Sequence, residues 1–200
     1  MVQDTIYESF MRKYREAVAR IRIGNEIDPA TEMGPIISES QMNRVLSFVE
    51  AGVAECAKLS YRGERIDEGD LSRGFFLKPT YFEGVDRSLR IFQEEIFGPV
   101  LCVLPFHDED DAISIANDTK FGLAGDLRSV SLPRIMKVSQ GIRTGTFWVN
   151  RQLNPGPEVP FGGYKQSGLG RDTAMEGLME FLQTKHISLQ LTDSFERVRR

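Results

Sequence analysis

The sequence is poor in the residues that disulfide frameworks and metal sites depend on. Its 200 residues include two cysteines, Cys56 and Cys102, two histidines and one tryptophan. Two thiols do not make a disulfide framework, and we predict no metal site. Neither cysteine has a base or an oxyanion-binding group beside it in the sequence, so we interpret both as structural thiols. The catalytic alternative is a Cys/His pair formed with His107 or His186.

Long apolar runs and a strong charge of one sign are also missing. No run reaches the roughly 18 apolar residues that a membrane-spanning helix needs. The 25 basic and 29 acidic residues give a net charge of -4, which is too small to predict a nucleic-acid or membrane partner. The first residues are polar and acidic, so we expect no secretory signal and predict a cytoplasmic location.

The residues that are present predict helices alternating with strands. Apolar spacing predicts a first helix, and Ser38, with Gln41 completing a capping box, predicts the start of a second. The predicted helices cover residues 2–21, 38–54, 108–116, 132–142 and 173–181. The predicted strands cover residues 58–61, 75–82, 100–106, 145–150 and 186–191. Because Pro79 cannot donate to a ladder, we expect the strand over 75–82 at an edge or on the loop side of the sheet. This order predicts an α/β fold with a mostly parallel sheet and flanking helices.

Residues 93–100 carry two adjacent carboxylates immediately before an apolar strand. Their sequence is QEEIFGPV, in which Glu94 and Glu95 precede an aromatic residue and a Gly-Pro pair. Neighbouring side chains of an extended segment point to opposite faces, so one glutamate can hold the structure while the other faces a pocket. Taken alone, the stretch favours a simple acidic turn in front of a core strand.

A second motif points to a known family. Residues 160–171, PFGGYKQSGLGR, together with residues 94–100, resemble the C-terminal half of NAD(P)-dependent aldehyde dehydrogenases. Residues 29–35, 74–80, 121–124 and 145–150 resemble further segments of that family in the same order. The resemblance implies a partial catalytic domain over residues 1–183, an oligomerisation strand over 184–192 and a tail over 193–200. It also implies a longer strand-like run than residues 125–131 offer, because that segment is shorter and more polar than usual.

The resemblance implies roles for particular residues. Glu95 would accept hydrogen bonds from the nicotinamide ribose hydroxyls, and Phe97 would pack beside the nicotinamide, while Glu94 would be structural. Phe161 would line the aldehyde tunnel, with Leu153 at its mouth. The glycines of residues 160–171 would serve tight turns, because they do not open a helix after a strand as phosphate-binding loops do. The two cations of that motif would be surface or interface charges.

The resemblance further implies a reaction, a cofactor and partners. The family oxidises an aldehyde to a carboxylic acid with NAD or NADP through a cysteine thioester. Its nucleophile, general base and Rossmann-type domain precede the matched segment, so we expect no catalytic residue here and no activity from these 200 residues alone. We expect a cytoplasmic homo-oligomer, a dimer or tetramer, in the full-length context. The alternative function is a non-catalytic interaction or decoy subunit, and the chain would be either a fragment or one product of a split gene.

Overall fold

The computed structural model describes residues 1–61, 63–151 and 156–191. The helices are Tyr7–Ala19 (α1), Glu39–Ala54 (α2), Arg90–Gln93 (α3), Glu109–Asn117 (α4), Leu132–Gly141 (α5) and Ala174–Met179 (α6). The strands are Val2–Gln3 (β1), Lys58–Tyr61 (β2), Thr80–Glu83 (β3), Val100–Val103 (β4), Pro105–Phe106 (β5), Phe121–Gly122 (β6), Ala124–Leu127 (β7), Thr146–Val149 (β8) and Tyr164–Lys165 (β9). Within the described ranges, no helix is long and apolar enough to cross a membrane.

The strands form one three-stranded sheet and three two-stranded ones. The larger sheet has the order β2-β3-β4, with β3 antiparallel to β2 and parallel to β4. β1 is parallel to β5, β7 is parallel to β8, and β6 is antiparallel to β9. In the described part of the chain, three of the five ladders are therefore parallel. The predicted α/β class is confirmed, with the parallel ladders distributed over separate small sheets.

The main core lies between α2 and the three-stranded sheet. The buried face of α2 carries Met42, Val45, Phe48 and Val49, which follow the three-and-four spacing of an amphipathic helix. β3 lies between β2 and β4 and all four of its residues are buried, so the edge position predicted for residues 75–82 is wrong. The ladder of β3 begins at Thr80, whose N–H donates to the Pro99 carbonyl at 2.8 Å, and Pro79 lies just outside it.

The start of the chain differs from the helix predicted over residues 2–21. Val2–Gln3 forms β1, a 3₁₀ turn covers Asp4–Ile6, and helix α1 begins only at Tyr7. The Val2 N–H donates to the Leu104 carbonyl at 2.9 Å, and the Val2 side chain is buried. A ladder with a segment about a hundred residues away therefore overrides the local helical spacing.

The strand predicted over residues 186–191 is not formed in the described structure. Residues 182–191 are assigned to no strand and lie exposed on the surface. A strand needs a neighbouring strand to complete its ladder, and sequence alternation alone does not supply one. Ile187, Leu189 and Leu191 remain 75%, 75% and 86% exposed.

The shortened segment after residue 124 still forms a strand. Ala124–Leu127 pairs in register with Thr146–Val149. Gly125 suits this position because a Cβ there would lie 2.8 Å from the ring of Phe147. Cross-strand packing thus compensates for the polar sequence of β7.

Candidate functional site

The loop of residues 94–98 leads from α3 into β4 and contains the predicted cofactor contacts. Its first residue, Glu94, forms an ion pair with Arg90 one helical turn earlier, at 3.2 Å between Oε1 and Nε. The backbone N–H of Arg90 donates to a carboxylate oxygen of Glu55 at 3.1 Å. Glu94 is therefore the paired member of the two adjacent carboxylates.

Helix α2 holds the next three residues by their backbone carbonyls. Gln41 Nε2 donates to the Phe97 carbonyl at 2.9 Å and to the Ile96 carbonyl at 3.2 Å. Arg44 Nη2 donates to the Glu95 carbonyl at 3.0 Å. The sequence predicted a different use of Gln41, in a capping box with Ser38. Only half of that box forms, since the Gln41 N–H donates to the Ser38 hydroxyl while its side chain contacts the loop.

Two backbone features fix the direction of the loop. Phe97 has a φ angle of +55°, in the left-handed region that costs a residue with a Cβ roughly 1–2 kcal/mol. Its ring is 72% exposed, whereas the preceding Ile96 is buried in the core. At Gly98 an added Cβ would lie 2.4 Å from Val45 Cγ2. The loop thus lies directly against α2 and presents Phe97 outward.

Residues 94–98 line a cavity of about 440 Å³. Cys102 of β4 and Ala116 and Thr119, at the end of α4 and just beyond it, contribute to its wall. The Glu95 side chain is exposed, and its carboxylate has no hydrogen bond or ion pair to any part of the chain that the structure describes. The site therefore offers an available carboxylate and an exposed aromatic ring on a loop whose backbone is fixed.

Phe161, predicted to line the substrate tunnel, lies in a different part of the molecule. It forms an isolated antiparallel bridge with Asp172, with its N–H donating to the Asp172 carbonyl at 2.9 Å. Its side chain is half-buried and is not part of the wall of the cavity beside Glu95. Leu153, the other predicted tunnel residue, lies outside the described residues.

No hydrogen bond joins either cysteine to a histidine in the part of the chain that the structure describes. Cys102 is half-buried in β4, its Sγ donates to the Ile91 carbonyl at 3.5 Å, and burial raises the pKa of this thiol to about 11. Cys56 is exposed just after α2, with a φ angle of +63°. The ring of His107 pairs instead with Asp4, at 2.7 Å between Nδ1 and Oδ2.

The two cations of the 160–171 motif are half-buried and donate to backbone carbonyls. Lys165 Nζ donates to the carbonyls of Asn117 and Thr119, both at 3.0 Å. Arg171 Nη1 donates to the Gly163 carbonyl at 3.1 Å. The last two glycines of the motif have φ angles of +125° and +73°, as tight turns require.

Comparison with protein families agrees with the arrangement of these motifs. The model of the aldehyde dehydrogenase family matches residues 1–187. The chain belongs to the aldehyde dehydrogenase family. Proteins of Staphylococcus saprophyticus and Staphylococcus aureus that are provisionally named aldehyde dehydrogenases are 43% identical to it over 188 residues. These matches cover 94% of this chain and 39% of each relative, so the chain spans about two fifths of the length of these aldehyde dehydrogenases.

Solved structures of aldehyde dehydrogenases share the fold. Betaine aldehyde dehydrogenase from Staphylococcus aureus, in complex with NAD⁺, superposes with a TM-score of 0.90 at 40% identity, over 98% of this chain and 40% of that one. An aldehyde dehydrogenase of Mycobacterium tuberculosis complexed with NAD⁺ gives a TM-score of 0.88 at 40% identity, over 97% of this chain and 40% of that one.

Proposed function

We propose that this chain supplies the nicotinamide-ribose contacts of an enzyme that oxidises an aldehyde to a carboxylic acid with NAD(P)⁺. The observation that carries the proposal is the Glu95 carboxylate, which is exposed and unpaired within the described structure. An exposed carboxylate is hydrated and loses little by being unpaired, so both of its oxygens stay free to accept hydrogen bonds from a ligand. The neighbouring Glu94, in contrast, is paired with Arg90.

The residues beside the cavity suit a nicotinamide riboside. A carboxylate accepts two hydrogen bonds from a vicinal diol, which is the recognition that a ribose offers. The exposed ring of Phe97 gives a flat apolar contact for a nicotinamide ring. When bound, this cofactor accepts the hydride that leaves the substrate. The NAD⁺ complexes of the two solved relatives support NAD⁺ as the first cofactor to test.

We assign the thioester-forming cysteine, the general base and the Rossmann-type domain to polypeptide outside these 200 residues. The raised pKa of the Cys102 thiol supports this assignment, because the thiolate is the nucleophile in such reactions. The exposed position of Cys56 after α2 likewise brings no activating group to its sulfur in the described structure. These 200 residues alone should therefore not turn over an aldehyde.

Substrate lining and subunit association complete the proposal. Phe161 and Leu153 would line the path of the aldehyde, and an aromatic wall suits an apolar or semi-polar substrate. The alternate exposed residues Ile187, Leu189 and Leu191 would form one face of a strand once a neighbouring strand is present. We assign that neighbouring strand to a further segment or to a second subunit of a homo-oligomer.

A hybrid enzyme tests this function. In the hybrid, residues 1–187 replace the matched segment of the Staphylococcus aureus betaine aldehyde dehydrogenase. We expect the hybrid to reduce NAD⁺ when betaine aldehyde is added, and the 200-residue chain alone to give no turnover. NADP⁺ is tested in parallel, and absorbance at the reduced-nicotinamide band reports the rate.

Two results would contradict the proposal. Turnover by the 200-residue chain that disappears in a Cys56→Ser or Cys102→Ser variant would place the nucleophile in this chain. A folded hybrid that binds neither NAD⁺ nor NADP⁺ would remove the cofactor role and favour a non-catalytic interaction subunit.

A further inference from the structure

One side chain of α2, Gln41, donates to two successive carbonyls of the loop that carries Glu95 and Phe97. We propose that Gln41 is a positioning residue that fixes the backbone of residues 96–97, next to the Arg44 contact with the Glu95 carbonyl, and thereby helps to place the Glu95 carboxylate and the Phe97 ring. The inference rests on the proposed function for its consequence in cofactor binding. Its structural part concerns this chain alone and can be measured without a cofactor.

The geometry makes Gln41 a two-point clamp. An amide nitrogen carries two hydrogens, and Gln41 Nε2 directs its donors to two successive carbonyls, of Ile96 at 3.2 Å and Phe97 at 2.9 Å. Its own backbone N–H is bonded to the Ser38 hydroxyl, which caps the first turn of α2. The clamp therefore originates at the capped and ordered end of a 16-residue helix.

Gln41 contacts the part of the loop whose backbone conformation is unfavourable. Phe97 lies in the left-handed region, which is unfavourable for a residue with a side chain unless its surroundings hold it there. Its ring is mostly exposed, so core packing does not fix it. Ile96 on one side is buried, and Gly98 on the other contacts Val45 of the same helix. The Gln41 amide donates to the carbonyl before the strained residue and to that of the strained residue itself, those of Ile96 and Phe97.

Three variants separate hydrogen bonding from shape. Gln41→Glu has the size of glutamine without its two N–H donors, and Gln41→Ala removes the whole group. Asn43→Ala is the matched control, since Asn43 is an exposed amide on the same helix with no contact to the loop in the described structure. A clamp that acts by donation fails in both Gln41 variants and survives in the control.

The first measurement is amide hydrogen exchange of peptides covering residues 94–100 in the 200-residue chain. Losing one or two hydrogen bonds of about 1 kcal/mol each should speed local exchange by about fivefold or more in both Gln41 variants. Exchange in Asn43→Ala should match the unmodified chain, and exchange at the core strand β3 should be unchanged in all three. Normal exchange in Gln41→Glu would overturn the inference, because a filler of the same shape would then suffice.

The second measurement is the Kd for NAD⁺ in the hybrid enzyme. We expect a rise of about fivefold in Gln41→Glu and Gln41→Ala, with the KM for the aldehyde within about twofold of the unmodified hybrid. If Glu95→Gln weakens NAD⁺ binding and the Gln41 variants do not, this inference fails while the proposed function stands. If Glu95→Gln also leaves NAD⁺ binding unchanged, the proposed function fails.

Discussion

At the scale of single residues, Gly98 shows how closely the site loop approaches α2. A Cβ added at this glycine would lie 2.4 Å from Val45 Cγ2 and 3.2 Å from Val45 Cγ1. Both distances are shorter than ordinary van der Waals contact, so the added methyl group must displace Val45 or the loop. The close approach also brings the loop carbonyls within reach of the donors of α2.

We predict that Gly98→Ala destabilises the chain by about 1–3 kcal/mol, because overpacking forces a shift. In a Val45→Ala background the same substitution should cost at least about 1 kcal/mol less, since the truncated valine leaves room for the new methyl group. Urea unfolding of the four chains of this double-mutant cycle gives the values. Gly34→Ala is the control, because its Cβ would meet only Glu26 Cβ at 3.9 Å. Additive effects of Gly98→Ala and Val45→Ala would contradict the steric account.

The sequence could predict part of this residue-scale arrangement. Two adjacent glutamates in an extended segment predict one structural and one outward carboxylate, and the Arg90–Glu94 ion pair is consistent with that division. The contact between Gln41 and Phe97 could not be predicted, because 56 residues separate them and the capping pattern offered a local use for Gln41. The spacing of Gln41 and Arg44 along one face of α2 was the available signal.

At the scale of elements, a buried carboxylate joins α1, β2 and β3. The Glu83 side chain is 8% exposed and lies 3.7 Å from Arg15 Nη2 and 3.5 Å from Lys58 Nζ. Its Oε1 atom has no hydrogen bond in the described structure, since the contact with Arg15 is too long to be one. The two cations remain 60% and 73% exposed, so the carboxylate alone carries the full desolvation cost.

We predict an asymmetry between the partners of this cluster. Glu83→Met should change the free energy of unfolding by at most about 1 kcal/mol, in either direction, because the cations left behind are already hydrated. The double variant Arg15→Met with Lys58→Met should destabilise by about 3 kcal/mol, since it leaves the carboxylate buried and unpaired. Thermal and urea unfolding measure both, with exposed Arg12→Met as the control for losing a surface cation of α1. The reverse order of stabilities would contradict this account.

The elements that the sequence predicted best are those set by local signals. The Ser38 hydroxyl accepts from the Gln41 N–H and the Asp108 carboxylate accepts from the Asp111 N–H, so two helix starts lie where the capping residues place them. The elements predicted wrongly depend on distant partners. β1 exists because Val2 pairs with Pro105. β3 is central because β2, which precedes it in the chain, and β4, which follows it, pair with its two edges.

At the scale of the whole molecule, the family could be predicted because its motifs are short, local and ordered along the chain. Sequence alternation alone could not decide whether residues 186–191 form a strand, because a strand needs a neighbouring strand to pair with. The apolar side chains of that segment and the Glu95 carboxylate are all exposed in the described structure. The chain matches about two fifths of the length of the solved relatives, which is consistent with a site completed by further polypeptide.

The most direct test of this account is the KM for NAD⁺ of the hybrid enzyme carrying Glu95→Gln. Hydrogen bonds to a charged group contribute about 1.5–3 kcal/mol, so we predict a rise of at least about tenfold, with the KM for the aldehyde nearly unchanged. Glu50→Gln, an exposed carboxylate of α2 with no partner in the described structure, should leave both constants unchanged. An unaltered KM for NAD⁺ in Glu95→Gln would contradict the claim that this carboxylate holds the nicotinamide ribose.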